Sequence, residues 1–355
     1  LYLQDPTQFA IAKVTGNYAL DMASPAGQTG TAAYAGVITT SGAGTINGGK
    51  MDISNGGTVS TALGVLGTYS APDATTGRGT MTVTSNGTQN LAYYLVNGTR
   101  ALVVDLDAAN VVRGELVQQG GAAPFSVASY AGNYAMVASG WNTQGKLALG
   151  AVFTADGAGA LSNASADINS NGNPQPQLSM TGTYAVTDTA TGRTEATVTI
   201  GGQPRKFVLY PQASGIADVL EIDGVQTTLG RAYFRAANAD TASTFQGTYS
   251  TLLAGVELVN TPGEMDVTGL LAPNGGSAIS GTLDVNDAGT IARGATLSGT
   301  YVASTPAGRK SGTWTTTSGT LSTGTFVYYV VDSKHALILE LDSNRVLTGV
   351  MEKPY

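Results

Sequence analysis

The sequence predicts an all-β protein: three tandem eight-stranded antiparallel barrels of calycin-like form. Three observations predict it. A hairpin pattern over Leu91 to Asp107, LAYYLVNGTRALVVDLD, returns at Phe207 to Asp223 and at Phe326 to Asp342. A Gly-Asn/Thr-Tyr opening recurs at Gly16, Gly132 and Gly247, spaced by 116 and 115 residues. Each unit then carries about eight short strand patterns with turn signals roughly every 8–15 residues and hardly any helical periodicity. Sequential hairpins favour an up-and-down meander, and closing eight strands removes exposed edges. Three β-sandwich modules are the alternative arrangement.

The units divide the chain into a lead-in over residues 1–14 and domains at 15–119, 120–236 and 237–355. In the lead-in, Asp5-Pro6 offers an N-cap and a first-turn proline, so a short helix is expected over Thr7 to Lys13. Phe9 lies seven residues before Gly16, as Phe125 does before Gly132; the third unit has Asp240 at that place, so its lead-in should differ. After the opening strand comes a second (Ala32 to Thr40, Leu147 to Thr154, Met265 to Leu271), closed by Gly-rich turns at 41–44, 155–159 and 273–277. The third strand ends in Asp52-Ile53-Ser54, Asp167-Ile168-Asn169 and Asp284-Val285-Asn286. A fourth carries Gly-Thr-Tyr again, at Tyr69, Tyr184 and Tyr301. A Gly-Arg turn at Arg78, Arg193 and Arg309 leads into a Thr-rich fifth. The repeated hairpin supplies strands six and seven, and a last strand follows Gly114, Gly230 and Gly349.

This phase leaves one strand over. Leu1, Tyr2, Leu3 and Gln4 resemble the eighth strand of a unit, so the chain reads as three full units plus one unpaired terminal strand. A spare strand of this kind can be donated to a neighbouring subunit by β-augmentation, which marks these four residues as a candidate assembly strand. Packing on the chain's own first barrel is the plainer expectation.

Composition narrows the function classes. Lys and Arg number 17 against 24 Asp and Glu, a net charge of -7 that argues against a nucleic-acid partner. The chain has no cysteine, which excludes disulfides, thiolate metal sites and a Cys nucleophile. No apolar run approaches the ~20 residues of a membrane span. Low charge and abundant Gly, Thr and Tyr fit an extracellular or cell-surface product. No signal peptide is visible ahead of Leu1, as expected of a mature or trimmed form.

Four groups of residues merit weighing for chemistry. The acidic pairs Asp105/Asp107, Glu221/Asp223 and Glu340/Asp342 share a strand face and could serve as acid–base or cation-binding pairs. Their recurrence in every unit favours a solvent face or strand-end turn. The stretch Asp167 to Asn173, DINSNGN, has the opening spacing of an EF-hand loop but places Leu178 where its bidentate acid belongs, and turn formation is the better reading; Asp284, Asn286 and Asp287 are the second choice. His335 is the single histidine, aligned with Arg100 and Ile216, and is expected to be an exposed strand residue. The repeated tyrosines (Tyr18, Tyr134, Tyr249; Tyr69, Tyr184, Tyr301) are expected in the core or at barrel mouths. Trp141 and Trp314 stand at non-equivalent places. No cofactor and no metal are expected. A carboxylate hydrolase would need a cleft of acids that do not repeat, such as Glu195 or Glu257.

The units, through GNYA, FTADGAG, the DIN turn, GTYAV, TGR and the LELD strand, resemble a class of secreted, tandem-repeat, Gly/Thr-rich β-proteins of environmental bacteria with no assigned activity. The resemblance implies no functional residues. The expectation is therefore a non-enzymatic extracellular structural or interaction protein, the subunit of a surface fibre or layer, whose main partner is itself. A tandem-barrel module binding a small molecule or polysaccharide is the alternative.

Overall fold

The computed structural model describes residues 2–25, 32–107, 111–121, 123–237, 239, 241, 244–259, 262–304 and 306–353. Barrel 1 is built from β1 (Thr15–Ala23), β2 (Ala32–Ser41), β3 (Thr45–Asn55), β4 (Thr58–Gly64), β5 (Leu66–Tyr69), β6 (Arg78–Ser85), β7 (Gly87–Asn97), β8 (Arg100–Asp105) and β9 (Arg113–Gln118). Barrel 2 takes β10 (Gly132–Asn142), β11 (Gly145–Ala155), β12 (Ala160–Ser170), β13 (Asn173–Asp188), β14 (Arg193–Ile200), β15 (Gln203–Pro211), β16 (Ile216–Glu221) and β17 (Thr227–Phe234). Barrel 3 takes β18 (Tyr249–Glu257), β19 (Gly263–Pro273), β20 (Ala278–Asp287), β21 (Thr290–Ser304), β22 (Arg309–Thr316), β23 (Thr323–Val330), β24 (His335–Glu340) and β25 (Arg345–Glu352).

All three sheets close as antiparallel barrels with neighbours in chain order, so the predicted meander is correct and the sandwich alternative is not. In barrel 1, β4 and β5 together occupy the place of the single long strands β13 and β21; the chain breaks at Val65, which turns inward. Closure comes from β1, which pairs with β2 on one side and β9 on the other, as β18 does with β19 and β25.

By compactness the chain falls into two units: Leu1–Ser129 with Tyr184–Thr197 and Arg205–Leu229, and Tyr130–Thr183 with Val198–Pro204 and Gly230–Tyr355. In the first, barrel 1 is filled by large side chains from every wall, among them Tyr18, Met22, Tyr34, Met51, Met81 and Tyr93. The lead-in plugs one mouth. Asp5 caps Pro6–Gln8 by accepting the Thr7 N–H at 3.1 Å. The expected single helix is two 3-10 turns, Pro6–Gln8 and Ile11–Lys13, because Ala10 is extended between them. That break turns Phe9 and Val14 into the barrel. The hydroxyl of Tyr69 donates to Val14 O at 2.7 Å and that of Tyr18 to Gly98 O at 2.6 Å, tying plug and turn to the wall.

The terminal residues form no strand in the single chain. Both edges of β1 are already paired, so the closed barrel offers no edge to them. Gln4 donates instead to Thr76 O and Leu95 O at 3.1 and 2.9 Å, and the Arg100 guanidinium sits 4.7 Å from the Tyr2 ring centre. Leu3 is exposed, and Leu1 lies outside the described residues.

In the second unit, barrel 3 has its own plug. Asp240 lies outside the described residues, and Phe245 takes the role of Phe9. Its ring meets Tyr249, Tyr301 and Tyr328 at 5.9, 5.1 and 5.4 Å between centres. Such aromatic contacts add to the burial of the ring itself. Replacing Phe245 by Ala should lower the unfolding free energy of this barrel by about 3–5 kcal/mol, measurable as a reduced denaturation midpoint followed by tyrosine fluorescence.

Candidate assembly interface

Each barrel carries an aspartate on its third strand position: Asp52 on β3, Asp167 on β12 and Asp284 on β20. Their cross-strand neighbours are Ala35, Gly150 and Thr268. On the other side the ladder slips at each aspartate. Ten residues on, a residue of positive φ, namely Ala62 (54°), Gln177 (52°) or Gly294 (60°), donates its N–H to the aspartate Oδ1 at 3.0, 2.8 and 2.7 Å. A bulge re-aims a side chain in this way. The barrel's own backbone thus orients each carboxylate outward.

Two of the three are clamped by the following barrel. Within the first unit, Arg193 grips Asp52 through Nε to Oδ2 at 2.7 Å and Nη2 to Oδ1 at 2.6 Å, and the Tyr210 hydroxyl donates to the same Oδ2. Within the second, Arg309 grips Asp167 through the same atoms at 2.8 and 2.6 Å, and Tyr329 donates to Oδ2 at 2.6 Å. All six side chains are buried. Burial opposes charge on both arginines, but Asp52 with Glu195 and Asp167 outweigh it, holding the guanidinium groups above their usual range. Burial, and then the neighbouring carboxylate, push Tyr210 and Tyr329 well up, so both remain hydrogen donors.

Apolar side chains enclose the ion pairs. Ala33, Ala35 and Val37 of β2 face Val208, Leu220 and Ile222; Ala148 and Val152 of β11 face Val327, Leu339 and Leu341. The Tyr329 ring lies directly on Gly150, where a Cβ would run into it. Two residues beyond each aspartate a second polar link forms. Ser54 and Thr227 hydroxyls lie 2.8 Å apart. The buried Asn169 amide donates to the carbonyls of Glu340, Asp342 and Arg345 at 3.1, 2.9 and 2.9 Å.

The same two half-faces exist uncovered. On barrel 1, Arg78 pairs across the ladder with Tyr94, as Arg309 does with Tyr329. Tyr94, Leu102, Val104 and Leu106 are 40, 41, 39 and 52 % exposed, whereas their counterparts on β15 and β23, on β16 and β24, and just beyond them (Ile222 and Leu341) are buried. On barrel 3, Asp284 is exposed, and Leu252 and Leu270 beside it are 56 and 51 % exposed.

This changes the reading of DINSNGN. Both oxygens of Asp167 are taken by Arg309 and Tyr329, and Asn169 joins two barrels; the stretch is an interface element rather than a mere turn or a cation loop. The acidic pairs also differ from a solvent face. Their first members point inward at the end of the strand, beneath Leu91, Phe207 and Phe326: Asp105 is nearly and Glu221 and Glu340 are fully buried. Glu221 accepts from Arg205, Gln226 and Thr228; Glu340 from Arg345. The second members do sit at strand ends: Asp107 accepts the Asn90 N–H at 2.9 Å and Asp342 that of Thr325 at 3.1 Å. His335 is partly buried against Asp332, Nδ1 to Oδ2 2.9 Å. Trp314 is buried beside Phe326, while Trp141 lies near Lys146. Glu195 is held by Arg193 and Lys206, and Glu257 lies 4.0 Å from Arg345. Among the described residues, no helix is long and apolar enough to cross a membrane.

No family model and no curated protein sequence matches the chain. Among solved structures it is similar to transferrin binding protein B of Haemophilus parasuis, crystallised as a tryptophan-to-alanine mutant, at 9% identity and TM-score 0.25 over 95% of this chain and 75% of that one. The isotype 1 protein of that name from serogroup B Neisseria meningitidis gives 10% identity and TM-score 0.26 over the same shares. A DUF3598-family protein of unknown function from Nostoc punctiforme gives 9% and 0.21, over 99% of this chain and 100% of that one. Likeness at this level carries no argument about what the chain binds.

Two outcomes test this chemistry. Asp167→Ala strands a buried Arg309 and should cost about 3–5 kcal/mol of stability, since breaking a buried pair leaves an uncompensated charge; denaturant titration checks it. Burial first, then repulsion from Asp223, lifts Glu221 from 4.5 to about 7 against the pull of Arg205. The folded chain therefore keeps a proton that the unfolded chain has released, and Glu221 makes stability fall as pH rises from 4.5 to about 7. Glu221→Gln should flatten that part of a stability–pH profile.

Proposed function

We propose that the chain is an extracellular structural and interaction protein, a subunit of a surface fibre or layer built by association of its own copies. The observation that carries this reading is the uncovered sheet face of barrel 1. Tyr94, Leu102, Val104 and Leu106 form one apolar surface, and the equivalents of Tyr94, Val104 and Leu106 in the other barrels (Tyr210, Leu220 and Ile222; Tyr329, Leu339 and Leu341) are buried in apolar clusters. A contiguous exposed apolar patch marks an interaction site. The low charge and the abundance of Gly, Thr and Tyr are the compositional support for a place outside the cell.

We read the chain as non-enzymatic, and the state of the buried acids supports that. The buried carboxyl groups of Asp52, Asp167, Glu221 and Glu340 are each held against an arginine. The container alternative is disfavoured, because Tyr, Met, Phe and Trp side chains fill barrels 1 and 3. An open recess of about 670 Å³ with a mixed lining, Asn133, Thr154, Gln177 and Arg235 beside Leu178 and Pro306, is where a polysaccharide would first be sought.

Light scattering and electron microscopy of the purified 355-residue chain test the reading. The mass should rise with concentration and elongated or layered assemblies should be visible. A monodisperse monomer at every salt and protein concentration overturns it.

A further inference from the structure

We propose that copies join head to tail by a third use of the internal interface, barrel 3 of one copy docking on barrel 1 of the next so that Arg78 and Tyr94 close on Asp284. The proposal rests on the self-association reading and specifies its contact.

The half-face on barrel 3 is already in docking form. Asp284 takes the Gly294 N–H as Asp167 takes that of Gln177. Asn286 accepts the Gly289 N–H at 3.0 Å, as Asn169 accepts that of Gly172 at 3.1 Å. Asn169 uses its amide hydrogens on the neighbouring barrel; those of Asn286 meet no partner among the described residues. The half-face on barrel 1 matches it. The turn before Arg78 is locked by Asp73, which accepts from Thr75 and Thr76 N–H, as the turn before Arg193 is locked by Asp188 accepting from Ala190 and Thr191. Arg78 is exposed, and no carboxylate among the described residues pairs with it.

Charge and apolar surface are complementary. An exposed aspartate on one face answers an exposed arginine on the other, and Leu270 and Leu252 answer Leu102, Val104 and Leu106. One difference weakens the contact relative to its internal copies. Thr268 stands where Ala35 and Gly150 admit the tyrosine ring, so Tyr94 cannot approach as closely. Reversible association follows. The two faces are different surfaces, so the contact is heterologous and yields open chains or rings rather than a closed dimer.

The test uses Asp284→Arg and Arg78→Ala, both at exposed positions, with circular dichroism and the thermal midpoint to show that each variant is folded. Each alone should weaken association at least about 30-fold, as loss of one partner of a docked charge pair does. Mixed in equal amounts, the variants keep one intact face of each kind and should form a 1:1 dimer that grows no further. Association of either variant at the parent's strength, or no dimer in the mixture, overturns the proposal while leaving self-association standing. Loss of association on removing residues 1–4, with Asp284→Arg behaving as the parent, assigns the contact to strand donation instead. A parent chain that never associates removes both this proposal and the reading it rests on.

Discussion

A carboxylate taken out of water must be met by a full set of donors, and that constraint organises how these barrels join. Asp52 and Asp167 each receive a bidentate arginine, a tyrosine hydroxyl and a backbone N–H. An isolated buried charge would be costly, and the pair is tolerated because every lone pair is engaged. The ion pair need not add much net stability. Its geometric demands set the register in which one barrel meets the next, since only one placement brings guanidinium, phenol and carboxylate together. The apolar residues around it then supply the favourable burial.

The barrels themselves depend on a different economy. The interiors of barrels 1 and 3 are filled by aromatic and Met side chains, and at the end of the seventh strand Asp105 accepts from the Asp107 N–H, Glu221 from Arg205, Gln226 and Thr228, and Glu340 from Arg345. In barrels 2 and 3 the seventh strands IADVLE and HALILE are buried on both faces. In barrel 1, RALVVD alternates. The three sequences are similar; their surroundings are not.

Much of the architecture was legible because repetition and turn chemistry speak through local residues. The hairpin at Leu91 to Asp107, the Gly-Asn/Thr-Tyr openings and the Gly-Arg turns marked strands the structure contains. The interface was hidden because its members lie far apart: Asp52 and Arg193 are in different repeats, and nothing local links them. A signal was present. An aspartate, an arginine and a tyrosine recur at matching places in all three units. The acid pairs misled for the converse reason, since period two predicts a shared face but not whether that face is wet. The terminal residues resembled an eighth strand left over once β9 is counted, and residues 2–4 form no strand in the single chain.

The bulge beneath each aspartate differs in one residue. Ala62 and Gln177 hold a backbone conformation unfavourable for residues with a Cβ, whereas Gly294 holds it freely. At the two internal joints a bound arginine and buried apolar surface offset that local cost. Asp284 has no such compensation in the solitary chain. Glycine at this one position lets the exposed carboxylate keep its orientation unaided. Rigidity in the free end is thus obtained by omitting a side chain rather than by adding a contact.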